Sequence, residues 1–151
     1  PVTHVESVKM KYRCRPDSLR RALRNLVENA VRYGGEAKVS LQYTAATVDI
    51  VVEDRGPGIP DDMVEKVFAP FVRLETSRSR ETGGSGLGLS IVRAVARQHG
   101  GDISLCNTET GMQAIISLPR EGSTNATPVK KERPWRLKKT LSSAQSTHLP
   151  K

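Results

Sequence analysis

The chain has 151 residues and a formal net charge of +8, with only 4% aromatic residues. That is enough for one domain of ordinary size with one modest core, and too little for two. No apolar run reaches the roughly 20 residues that a bilayer-spanning helix needs, so the sequence reads as a soluble piece.

The charge is unevenly placed. Residues 121–151 hold seven Lys/Arg against two Glu, so the first 120 residues carry only +3. Eleven of the twelve glycines also lie within those first 120 residues. Beyond Pro119 neither a helical nor an alternating period survives, and residues 121–151 are expected to be a basic, disordered tail. The stretch Lys130 to Lys139 has basic residues and one Trp, but such tails give at most weak, nonspecific nucleic-acid binding. Cys14 and Cys106 have no metal-ligand spacing and read as buried or half-buried thiols in a reducing compartment.

In chain order, Val8 to Cys14 alternates apolar and basic residues and predicts a strand. Arg15-Pro16 breaks it and Asp17 is the expected helix N-cap. Leu19, Ala22, Leu23, Leu26, Ala30 and Tyr33 then recur at helical spacing until Gly34-Gly35 stops the helix. Lys38 to Tyr43 and Thr47 to Glu53 predict a hairpin through Thr44-Ala45-Ala46. A short helix is expected from Pro60 to Val67, and Arg73 to Gly84 reads as a mobile polar loop. A second long helix is expected over Leu87 to His99, closed by Gly100-Gly101. Asp102 to Cys106 and Met112 to Leu118 predict the last two strands. The order β-α-β-β-α-loop-α-β-β predicts an α+β sandwich: a mixed, mostly antiparallel sheet with helices on one face.

Four segments carry chemistry. Asn25, Asn29, Arg32 and Tyr33 lie near one helix face, because a helix turns about 100° per residue. Asn disfavours helix interiors, and its side-chain carbonyl can ligate Mg²⁺ beside phosphates, although a polar helix stripe is usually just solvated. In Glu53-Asp54-Arg55-Gly56-Pro57-Gly58-Ile59-Pro60, the glycines suit a tight turn and also let backbone approach a flat ligand. Asp54 can accept a hydrogen bond from an exocyclic amine such as that of adenine. Val67-Phe68-Ala69-Pro70-Phe71-Val72-Arg73 reads as a hydrophobic anchor for the loop, from which Arg73, Arg78 and Arg80 can swing toward phosphate. Gly83-Gly84-Ser85-Gly86-Leu87-Gly88-Leu89 opens a helix, where bare backbone N–H groups and the helix dipole bind anions. It is neither a Walker A loop, since no Gly-Lys-Ser/Thr follows, nor a dinucleotide fingerprint, since no strand precedes it.

Taken together, and in this order, the four segments resemble the N, G1, F and G2 boxes of the GHKL ATPase superfamily, which includes histidine kinases, DNA gyrase, the Hsp90 chaperone and MutL-type repair proteins. The resemblance spans Val8 to Pro119 and is nearest to the catalytic domain of bacterial sensor histidine kinases of the osmosensor type. It implies the two-layer Bergerat fold, ATP and Mg²⁺ as ligands, and a role for each matched residue. Asn29 matches the Mg²⁺-ligating asparagine, Asn25 its partner one turn earlier, and Arg32 a basic residue that approaches the phosphates. With Asn25, Asn29 and Arg32 as the catalytic set, nucleotide contacts fall to Tyr33, Asp54 (the adenine reader), Gly56, Gly58, Ile59 and Arg73. They continue through Gly84, Ser85, Gly86, Leu87, Gly88 and Leu89, and residues 74 to 83 match the ATP lid, expected to be disordered without nucleotide.

One position separates the branches of that superfamily. Where the gyrase, Hsp90 and MutL branches carry a water-activating glutamate, this sequence has Asn25, and an amide cannot accept water's proton. Phosphoryl transfer is therefore expected rather than hydrolysis. The alternatives are an ATPase module, which Asn25 disfavours, and a serine kinase of the anti-sigma-factor type, which the Phe68 to Arg73 match disfavours. The resemblance implies an acceptor histidine on a dimerising hairpin, and none of His4, His99 and His148 has its context. Residues 1–7 are thus expected to be a linker from an absent hairpin and residues 8–120 the catalytic domain. The fragment is expected to be monomeric, cytoplasmic and unable to autophosphorylate alone. Its parent is expected to be a homodimer in the bacterial inner membrane that signals to a response regulator.

Overall fold

The computed structural model describes residues 1–4, 11–73 and 86–120. Five strands form one sheet: β1 (Val2–His4), β2 (Ala37–Tyr43), β3 (Thr47–Asp54), β4 (Asp102–Asn107) and β5 (Met112–Pro119), in the spatial order β1-β2-β3-β5-β4. Only the β1–β2 pair is parallel; the other three pairs are antiparallel. Two helices, α1 (Pro16–Gly34) and α2 (Gly88–Gln98), pack on each other and on the sheet. This is the mixed, mostly antiparallel α+β sandwich that the sequence predicts.

Helix α1 begins at Pro16, whose fixed φ and missing N–H suit the first helical turn. The expected cap, Asp17, instead lies inside that turn, where its charge favours the positive end of the helix dipole and pairs with Arg20 at 3.1 Å. No side chain caps the helix. His99 takes part instead: its Nε2 accepts the Arg15 N–H at 3.0 Å, while its Nδ1 lies 2.8 Å from the Val95 carbonyl. This ties the end of α2 to the start of α1. Ala22, Leu26 and Ala30, four residues apart, form the buried stripe of α1. Gly35 ends the helix in the left-handed region at φ 77°, its N–H bonded to the Val31 carbonyl at 3.0 Å.

Strand alternation sends Ile50 and Val52 of β3, Ala114, Ile116 and Leu118 of β5, and Ile103 and Leu105 of β4 toward the helices, where they meet Val92, Val95 and Ala96 of α2. The opposite face carries polar pairing, with Glu53 accepting from Gln113 and lying 3.2 Å from Lys38. Asp54 has the parity of Ile50 and Val52. Its side chain therefore falls on the helix side of the sheet, at the end of the strand.

Two elements differ from expectation. Residues 11–15 are not a strand; Tyr12 donates its hydroxyl to the Pro119 carbonyl at 2.7 Å, so the chain there crosses the end of the sheet. The parallel edge is taken by Val2–His4, which the sequence reads as linker. The rest of the predicted strand, residues 8–10, lies outside the described residues. The predicted helix from Pro60 to Val67 is a series of turns ending in a 3₁₀ turn over Lys66–Phe68. Its i→i−3 bond from Met63 to Pro60 (2.8 Å) shows the tighter winding.

Phe68 and Val67 are buried as the expected anchor. Burial of one such side chain stabilises by about 1.5–3 kcal/mol. The Arg93 guanidinium of α2 sits 4.6 Å from the Phe68 ring centroid, 2.9 Å from Glu65 and 3.4 Å from Asp102. Partial burial pushes the Asp102 carboxyl up. The Ile103 N–H, the Arg97 hydrogen bond and the charges of Arg93 and Arg97 together outweigh it, so the group titrates below its ordinary value. A depressed carboxylate stabilises the fold above its unfolded pKa, and that contribution is lost as pH falls through the folded value. Asp102→Asn is therefore expected to lower the melting temperature near neutrality and to approach wild type below about pH 4, which flattens the acid limb of a thermal-melt series. An unaltered acid limb would contradict the assignment.

Cys14 and Cys106 are free and half-buried, as expected. Among the described residues, no helix is long and apolar enough to cross a membrane.

Candidate functional site

The site is built along α1, which brings three groups of residues to one side of the sheet. At the C-terminal end of α1, the end of β3 meets the helix closely. A Cβ on Gly34 would stand 2.6 Å from the Asp54 Cβ, and one on Gly56 would stand 2.9 Å from the Tyr33 carbonyl oxygen. Glycine at both places is what allows the approach. Asp54 is 8% exposed, and its Oδ1 accepts the Gly56 N–H at 2.7 Å. The second carboxylate oxygen has no hydrogen bond among the described residues and can accept from a ligand donor.

The loop after Asp54 is held by a residue that sequence reasoning missed. Asn107, at the end of β4, clasps Ile59 on both backbone groups: Oδ1 accepts the Ile59 N–H at 2.9 Å and Nδ2 donates to the Ile59 carbonyl at 2.7 Å. Gly58 sits beneath it at φ 74°, and a Cβ there would come within 2.5 Å of Asn107 Oδ1. Ile59, expected among the nucleotide contacts, is 7% exposed and belongs to the core. Nothing in Asn107-Thr108-Glu109-Thr110-Gly111 distinguishes this asparagine from ordinary turn chemistry, because its partner lies 48 residues away. Asn107→Ala leaves the backbone of the buried Ile59 short of two hydrogen bonds and is expected to cost about 1–3 kcal/mol of stability. Nucleotide affinity, read by titration on the same samples, is expected to fall as well; a melt and an affinity both unchanged would refute the clasp.

Halfway along α1, Asn25 and Asn29 face the first residue of α2. From an added Cβ on Gly88, Asn29 Nδ2 would lie 3.5 Å and Asn25 Oδ1 3.6 Å away. Two amides thus converge on the start of a helix whose first N–H groups have no intrahelical acceptor and no side-chain cap. An Asn carbonyl is a hard oxygen donor without charge, suited to a Mg²⁺ that keeps most of its water and its phosphate ligands. Arg32 and Tyr33 are exposed on the last turn of α1, Tyr33 by 50%. Arg73 is exposed where the described chain stops.

Across the site, Gly86 (φ 69°) and Phe71 (φ 65°) form a tie, with the Phe71 N–H donating to the Gly86 carbonyl at 3.0 Å. Phe71 is 74% exposed, and a bulky residue in the left-handed region is a strained one. The tie joins the two ends of the segment expected to be the lid. Residues 74–83, with Gly84 and Ser85, lie outside the described residues. Leu89 packs against the core, and Leu87 lines a cleft beside Asn25.

Residues 14–122 match the model of the histidine kinase-, DNA gyrase B- and HSP90-like ATPase family. The chain belongs to this family. It is 41% identical over 112 residues to the sensor histidine kinase GtrS of Pseudomonas aeruginosa, covering 74% of this chain and 23% of GtrS. It is 38% identical over 106 residues to the sensor histidine kinase CpxA of Escherichia coli, covering 69% of this chain and 23% of CpxA. The solved ATP-binding domain of PrrB from Mycobacterium tuberculosis superposes with a TM-score of 0.63 at 31% identity, covering 78% of each chain. The chain spans about a quarter of the length of the curated relatives it matches. It carries an ATP-binding catalytic domain of the sensor-histidine-kinase type on the Bergerat fold.

Proposed function

We propose that this domain hands the γ-phosphate of Mg-ATP to a histidine on a separate, dimerising hairpin domain of its parent protein. The observation that carries the reading is the meeting of Asn25 and Asn29 at Gly88. A hydrolase needs a carboxylate there to accept a proton from water, and the residue at that place is an amide. Glu28 is exposed and lies about 100° round the helix from Asn29.

In this reading Asp54 accepts from the exocyclic amine of adenine, while Gly56 and Gly58 let the base lie against backbone and Tyr33 covers it. Asn29, with Asn25 beside it, would hold Mg²⁺, which would supply charge neutralisation for the phosphates. Arg32, Arg73 and the amides of the Gly84 to Leu89 loop surround the phosphates. Catalysis is then positioning and electrostatic stabilisation, with the acceptor imidazole supplied from outside. His99 does not suit that role, since both of its ring nitrogens are engaged in joining the two helices. The parent is read as a homodimer of the inner membrane with this domain on the cytoplasmic side, passing its phosphate on to a response regulator.

The test mixes the chain with a separately expressed histidine hairpin and γ-labelled ATP. Acid-labile label on the hairpin, with little free phosphate, is the expected result. Steady phosphate release with an unlabelled hairpin would establish an ATPase instead.

A further inference from the structure

Beyond Asn25, toward the start of α1, a cleft of about 500 Å³ opens between the two helices. It is lined by Arg20, Arg21, Arg24 and Asn25 on α1 and by Gly88 and Ile91 on α2. We infer that this cleft is the docking surface for the acceptor domain and takes an acidic surface adjoining the acceptor histidine. The inference rests on the phosphoryl-transfer reading above and adds the residues that recognise the partner.

Position is the first argument. Along α1 the contacts run in one direction: Gly34 against Asp54, then Asn29 and Asn25 against Gly88, then Arg24, Arg21 and Arg20. At 1.5 Å per residue, Gly34 and Asn25 are about 14 Å apart, and Arg21 lies about 6 Å further on. A nucleotide with its base at Asp54 and its phosphates at Asn25 ends where the cleft begins. A group that attacks the terminal phosphate from outside must approach from that side.

Charge is the second argument. Arg20 is paired with Asp17. Arg21 and Arg24 are exposed and have no carboxylate partner among the described residues, and they sit three residues apart, where like charges repel. No ion pair or hydrogen bond among the described residues uses this pair of cations. Their stems can cover Ile91, while the guanidinium groups offer planar, bidentate sites for carboxylates.

The chain's own tail does not suit the cleft, because residues 121–151 carry seven Lys/Arg against two Glu. Nucleic acid suits it less well than an acidic protein surface does. No aromatic side chain lines the cleft for base stacking; Asp17 also lies in its wall, paired with Arg20.

The experiment compares wild type with the double variant Arg21→Glu/Arg24→Glu, using a hairpin domain that the wild type phosphorylates. The KM for the hairpin is expected to rise about tenfold or more, as for lost charge complementarity at an interface, and the wild-type KM to rise with salt. ATP affinity, measured by titration, is expected to stay within about twofold, since neither arginine lies on the nucleotide side of Asn25. The milder pair Arg21→Ala/Arg24→Ala provides the same comparison if charge reversal impairs folding. An unchanged KM for the hairpin would overturn the inference. So would a parallel loss of ATP affinity, which would assign the cleft to the nucleotide, or loss of duplex-DNA binding with transfer intact. A wild type that labels no hairpin would instead overturn the transfer reading itself.

Discussion

Asp54→Ala is expected to weaken nucleotide binding by about a hundredfold or more. A hydrogen bond to a charged acceptor contributes about 1.5–3 kcal/mol, and each 1.4 kcal/mol is a factor of ten. A second loss adds to it, since Asp54 Oδ1 also holds the Gly56 N–H at 2.7 Å and so shapes the loop on which a base would lie. The fold is expected to survive, because the core is formed by Ile50, Val52, Ala114 and Ile116 and does not depend on this carboxylate. Titration with a fluorescent ATP analogue beside a far-UV melt separates binding from folding. Asp54→Asn sharpens the test by keeping an oxygen for Gly56 while removing the charge. Unchanged affinity in both variants would remove Asp54 from the site.

Asn29→Ala is expected to separate catalysis from stability. Ala is the better helix former by up to about 0.7 kcal/mol, so the melting temperature should hold or rise slightly. Phosphoryl transfer should nevertheless fall by about 10²–10³, the usual effect of deleting one preorganised polar group at developing charge. The decisive measurement is nucleotide affinity with Mg²⁺ and with EDTA. Wild type should gain affinity from Mg²⁺ and the variant should not. A variant that keeps the full Mg²⁺ gain would show that Asn29 is not a ligand, whatever happens to the rate. A residue poor for the helix and required for activity is the pattern expected of a functional position.

Much of the fold was legible because its signals are local. The 3.6-residue recurrence from Leu19 to Tyr33 and the glycines at its end place α1 to within a few residues. The alternation in Thr47 to Glu53 and in Met112 to Leu118 marks the two central strands. The edge strand was not legible. Val2–His4 is three residues long and becomes a strand only by pairing with Ala37 to Val39, whereas Val8 to Cys14 alternates better over a longer run. For so short an edge, pairing rather than pattern decides. The start of α1 was misplaced by two residues for a similar reason, since Asp17 has cap chemistry but the helix begins at Pro16 and its cap residue Arg15 joins His99 across 84 residues.

By itself the sequence determined the residue types of the site: two helical asparagines, one aspartate ending a strand, and glycines where backbone must come close. Each of these is a matter of side-chain chemistry and short spacing. Through the family resemblance it also set an amide, Asn25, at the position where the hydrolase branches carry a glutamate. Only the tertiary structure decided which of these residues meet. It set Asn25 and Asn29 against Gly88, clasped Ile59 with Asn107, tied Phe71 to Gly86 and opened an arginine-lined cleft beyond the asparagines. These contacts join residues 15 to 63 positions apart in the chain. No periodicity within one element can specify such pairs, and they arise only when the two helices pack on a common sheet.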